Sequence, residues 1–202
     1  IVGGYDSIAQ DSIDFAQMQA VLVFWEAGNL VDGLHCKADV MTQDDFEALE
    51  GKIEREIDFV LRNLQNTSLV LVNRFSSLLF SSGALRNGAL TRLCKRLNVI
   101  LESRVGPNQV IVDLDAILAK VGLADSVDFR QYMSSKALYS LEFFREYVEA
   151  VKPAFMAATG RVKKIIVLDC DNTLWGGILG EDGASGLQMS EATQKGKAFA
   201  EV

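Results

Sequence analysis

The stretch VLDCDNTLWGG, residues 167–177, places Asp169 and Asp171 two residues apart at the end of an apolar run, with Asn172, Thr173, Trp175 and a glycine pair directly after. Side chains alternate along a strand, so both carboxylates project to one side and Cys170 to the other for as long as the extended geometry lasts. Like charges held that close must share a proton or recruit a cation. Oxygen-only donors suit Mg²⁺, which takes one or two carboxylates and fills its other positions with water and substrate phosphate. Such a pair can divide phosphoryl chemistry between a nucleophile and a proton donor. The competing reading is a plain turn, because Asp, Asn and Thr bond nearby backbone groups and a short DxDxT arises by chance.

The element that must carry the pair is the run KIIVLDCD, 164–171, read as a strand. In an open α/β sheet, ligands bind beyond the carboxyl ends of the strands, which is where such a pair sits. The preceding chain alternates in the same way. AVLVFW (20–25), SLVLVNRF (68–75) and QVIVDL (109–114) are short β-prone runs. Between them, Phe46, Leu49, Ile53, Ile57, Val60 and Leu64 recur at helical steps over 44–64, and Leu85, Leu90, Leu93, Leu97, Ile100 and Leu101 do so despite Gly88. DAILAKVG then reads as a short helix stopped by Gly122. Strand then helix, repeated, predicts an α/β fold with a parallel sheet. A further helix is predicted from Leu141, Phe144, Val148, Val151 and Phe155, with Pro153 expected to kink or restart it. ATGRVKK (158–164) has the glycine and basic residues of a helix end, which puts a domain boundary near Gly160.

Composition narrows the function. The chain has 202 residues, 49% hydrophobic and 23% charged, ordinary values for a folded domain. Its 20 basic residues stand against 27 acidic ones, a net charge of −7 with no basic footprint for nucleic acid. No apolar stretch reaches the length of a membrane helix, and the opening IVGGYDSIAQ is unlike a signal peptide, so a cytoplasmic location is expected with no membrane partner. Cys36, Cys94 and Cys170 are odd in number and lack CxxC spacing, which suggests neither a disulfide framework nor a zinc site.

The longer stretch VLDCDNTLWGGILGEDG is similar to the first motif of the haloacid dehalogenase (HAD) superfamily, DxDx[TV], in the form carried by its FkbH-like branch. The segment from VIVDLDAILAKVG through SSKALYS to the following helix resembles the N-terminal domain of FkbH-like proteins, which has an SGNH-hydrolase-like fold. This resemblance implies a three-layer, parallel-sheet SGNH-like domain over residues 1–160, followed over 161–202 by the start of a Rossmann-like HAD domain. It makes Asp169 the nucleophile and a Mg²⁺ ligand, and Asp171 the general acid and base with its carbonyl as a second ligand. Thr173 would shape the loop and orient Asp171, while Trp175, the glycines and LGEDGASG would form a flap; Trp175 itself reads as ordinary packing. The phosphate-binding Ser or Thr, the Lys and the further acidic ligands of the family do not occur before Val202, and no strand and helix precede IVGGYDSIAQ, so a fragment cut at both ends and inactive alone is expected.

The implied function is that of a Mg²⁺-dependent phosphatase, or a phosphoryl or glyceryl transferase, acting on a phosphorylated small metabolite. An acyl carrier protein is the implied partner where a glyceryl group is transferred. A cysteine thioester is proposed in those members, but strand alternation makes Cys170 a buried structural thiol. Two other readings compete. DGLH, 32–35, matches the DxxH block of SGNH esterases and holds His35, the only histidine, yet it follows the earliest strand and no GDS or GxND block accompanies it. A non-catalytic docking platform, for a carrier protein or for its own HAD domain, with acidic helix 44–64 as one candidate face, is the third.

Overall fold

The computed structural model describes residues 1–4, 7–31, 33–80, 88–163 and 165–200. The β-prone runs of the first part pair side by side. β1 (Ala20–Val23), β2 (Leu69–Asn73) and β3 (Gln109–Val112) form a parallel sheet in the order β1-β2-β3. Val21 lies opposite Val70, and Val72 opposite Ile111. β2 is buried along its whole length, as a central strand covered on both faces must be.

After α1 (Ile8–Asp14), the crossovers supply the cover: α2 (Leu34–Lys37) and α3 (Gln43–Asn63) lead from β1 to β2, and α4 (Ala89–Arg104) from β2 to β3. α5 (Leu114–Val121), α6 (Phe129–Ser135) and α7 (Leu141–Ala158) follow. The alternation of β2 divides the core. Val70 and Val72 pack with Ile53 and Ile57 of α3 and Leu93 and Leu97 of α4, whereas Leu69 and Leu71 pack with Leu118 of α5 and Phe143 and Tyr147 of α7. Local chemistry sets the helix ends. Thr42 and Asp45 form a reciprocal capping box on α3, and Gly122, at φ 92°, closes α5.

The described residues divide into two compact units, Ile1–Arg161 and Val162–Val202. The second holds α8 (Leu179–Gly186) and α9 (Gln194–Ala200). Three expectations need correction. The helix after Leu141 runs unbroken through Pro153 to Ala158, because the carbonyl that the proline leaves without its usual donor belongs to exposed Glu149. Of its stripe, Leu141, Phe144, Val148 and Phe155 are exposed and only Val151 packs on the core, which takes the neighbouring Phe143 and Tyr147. The strand expected at 164–171 is not formed: Lys164 lies outside the described residues, and 165–170 are exposed, without regular secondary structure and without a ladder partner among the described residues. A strand exists through its ladder, and the second unit offers this run no neighbouring strand among its described residues. Leu85, expected in the second helix, lies outside the described residues, and that helix begins at Ala89.

Candidate active-site loop

The two aspartates open a loop tied together by its own polar groups. Asp169 is exposed, and its Oδ1 accepts the backbone N–H of Cys170 at 2.8 Å. Asp171 is half-buried, and its Oδ1 accepts two bonds from further along the chain: the Trp175 indole Nε1–H at 3.0 Å and the Leu179 backbone N–H at 3.1 Å. Its Oδ2 accepts no hydrogen bond among the described residues. The chain turns tightly between them, with the N–H groups of Thr173 and Leu174 bonding the Cys170 carbonyl at 3.2 and 2.9 Å.

Two unusual backbone conformations permit the reversal. Asn172 is left-handed at φ 54°, which asparagine tolerates, and its Oδ1 accepts the Gly177 N–H at 3.0 Å. Gly177 itself sits at φ 115°, where a side chain would be strained. The Asp182 carboxylate accepts the Ile178 N–H at 2.8 Å at the start of α8. Gly176 and Gln188 then exchange both backbone bonds, at 2.9 and 2.8 Å, in an antiparallel bridge that brings the segment back on itself. α8 is broken within this return at Gly183, φ 65°.

Thr173 contributes its backbone N–H to the turn, and its hydroxyl makes no hydrogen bond among the described residues. Asp171 is oriented by Trp175 and Leu179, a role that the sequence reading did not assign. The signal available was the four-residue step from Asp171 to the only indole nearby, and the same residue suits packing equally well. Cys170, expected to be a buried thiol, is exposed because the run that carries it is not enclosed in a sheet.

As metal donors the aspartates offer hard oxygens, and the Asp169 carboxylate is reachable from solvent. That donor chemistry fits a Mg²⁺ ion held by one or two carboxylates and completed by water. Among the described residues no group of three or more His, Cys, Asp or Glu side chains is placed to hold a metal.

The first unit has its own opening at the carboxyl end of β1, a cavity of about 690 Å³ lined in part by Phe24, Trp25, Glu26, Lys52, Glu56 and Tyr139. Its described lining includes no Ser, Cys or His. Of the DGLH stretch, Asp32 lies outside the described residues and His35 falls on α2. No helix among the described residues is long and apolar enough to cross a membrane.

No protein-family model matches the chain, and no curated protein does. Among solved structures one has a similar fold. That neighbour is the N-terminal part of the protein BF1531 from Bacteroides fragilis, containing a phosphatase domain complexed with Mg, at 22% identity and a TM-score of 0.58. The likeness covers 98% of this chain and 55% of that one, so the chain spans about half the length of its structural neighbour.

Proposed function

We propose that this chain carries the first catalytic loop of a Mg²⁺-dependent phosphatase of the HAD superfamily, with Asp169 as nucleophile, Asp171 as general acid and base, and the Asp169 carboxylate and Asp171 main-chain carbonyl as metal ligands. The observation that carries the reading is the division of labour between the carboxylates: Asp169 is open to solvent, while Asp171 is held through one oxygen with the other left to act. The fold shared with a Mg-bound protein that contains a phosphatase domain supports it.

In this mechanism Asp169 attacks the phosphorus of a phosphorylated small molecule, and the bond from phosphorus to the leaving oxygen breaks. Asp171 gives that oxygen its proton, then takes one from the water that cleaves the aspartyl phosphate. Mg²⁺, when bound, offsets the charge of the carboxylate and the incoming phosphate. The finer assignment is FkbH type, with residues 1–160 as an SGNH-hydrolase-like domain, Thr173 shaping the loop, and transfer to an acceptor such as an acyl carrier protein as the variant chemistry. The test is phosphate release from a panel of phosphomonoesters with Mg²⁺ in the intact protein. Asp169→Asn is expected to lower turnover by at least a factor on the order of 1,000, as loss of a nucleophile does. Equal turnover in the variant overturns the proposal.

A further inference from the structure

We infer that Trp175 is a positioning residue that fixes the carboxylate of Asp171 for proton transfer. The inference rests on the phosphatase reading of the loop. A carboxylate on a flexible side chain presents either oxygen, and a turn leaves it free to rotate. Here both donors converge on one oxygen: the Trp175 indole Nε1–H at 3.0 Å and the Leu179 N–H at 3.1 Å. Oδ1 is thereby occupied from two directions, and Oδ2 is the oxygen left to carry a proton.

The donors are themselves anchored. Leu179 begins α8, which the bond from Ile178 N–H to Asp182 fastens at its start. Trp175 is followed by the Gly176 and Gln188 bridge, so the indole stands between the turn and a fixed crossing. Indole is suited to the task because it donates without accepting or titrating, so it reports no charge change of its own. Thr173, one turn earlier, reaches Asp171 with neither its hydroxyl nor its backbone N–H among the described residues.

Two measurements test this. With two tryptophans in the chain, ¹⁵N labelling gives two indole N–H signals, and Trp175→Phe assigns them. Asp171→Ala is expected to shift the Trp175 indole signal and leave that of Trp25 in place. An unmoved Trp175 signal overturns the contact. In the turnover assay, Trp175→Phe, which keeps an aromatic ring and deletes the donor, is expected to lower kcat by a factor on the order of 10 to 100 with KM unchanged. Trp175→His, which restores an N–H, is expected to recover part of that loss. A rise in KM alone, or no recovery with histidine where phenylalanine is folded to the same melting temperature, assigns the residue to packing and overturns the inference. Asp171→Asn separates the two levels. If it turns over like the parent protein, the phosphatase reading fails and positioning fails with it. If it loses turnover while Trp175→Phe does not, positioning alone is overturned.

Discussion

A carboxylate at the end of an extended run is defined by which donors it accepts. Asp113 and Asp115 repeat the D-x-D spacing at the end of β3, and there the plain reading holds: Asp113 caps α5 by accepting the N–H groups of Asp115 and Ala116 at 3.0 and 3.3 Å. Asp171 accepts instead from residues four and eight positions on, one of them a side chain, which no cap requires. Buried amides do comparable work inside the first unit. Asn73, fully buried at the end of β2, accepts the Trp25 N–H at 2.7 Å and donates to the Trp25 carbonyl, and Asn98 makes the same pair of bonds with Phe75 at 2.8 and 2.9 Å. The two clamped rings stack at 6.0 Å. Removing Asn73 orphans two buried backbone groups, each costing about 1–3 kcal/mol, whereas removing an exposed cap costs about 1 kcal/mol. Asn73→Ala is therefore expected to destabilise the protein by about 3 kcal/mol or more and Asp113→Ala by about 1 kcal/mol in urea unfolding. Equal losses would show that the clamp is no better than a cap.

Helix α4 carries a titratable group into the core between its leucines. Burial pushes the Cys94 thiol up from 9.0 to about 12, with the charges of Glu26 and Asp115 acting in the same direction. A thiol whose pKa is raised on folding contributes stability that is fully present below the unfolded value and lost as pH rises toward the folded one. The unfolding midpoint is thus expected to fall as pH passes from 9 toward 12. Cys94→Ala should remove the part of that fall that begins near pH 9, leaving the later part due to Tyr139, raised by burial and the same charges, and Tyr147, raised by burial. An identical slope in the variant would contradict this account. In the first unit β1, β2, β3, α3, α4 and α5 were legible in the sequence because each short β-prone run had a partner and each of these helices one apolar stripe, whereas the short helices α1, α2 and α6 carry too few spaced apolar residues to be read. α3 is the clearest case, since all six of its spaced apolar residues are buried. α7 was legible as a helix and misread as a face. Its sequence carries two adjacent stripes, and the choice fell to the aromatic cluster in which Phe143 stacks on Tyr139 at 4.2 Å, a long-range packing fact that periodicity does not encode. The loop at 169–179 was legible as a pair of carboxylates but not in its bonding. The partners of Asp171 depend on a turn through left-handed Asn172 and Gly177 that alternation along a strand does not anticipate.

At the scale of the molecule, burial is concentrated in one unit. The sheet and both hydrophobic clusters lie within Ile1–Arg161, and no residue of either cluster comes from the second unit. The described residues of the second unit are held mainly by turns, two isolated bridges and two short helices, and its most β-prone residues remain open, with Ile165 78% and Val167 89% exposed. Cooperative stability follows buried apolar area, at roughly 25 cal/mol per Å², so the unfolding transition belongs to the first unit. A chain ending at Arg161 is expected to unfold cooperatively within about 3 °C of the parent, since in a domain of this size about 1 kcal/mol moves the midpoint by 2–4 °C. Trypsin under native conditions is expected to cut first beside the exposed Arg161 and Lys163 and to leave residues 1–161 intact. Loss of the cooperative transition on truncation, or first cleavage within α3 or α4, would place part of the stabilising core in the residues after the boundary.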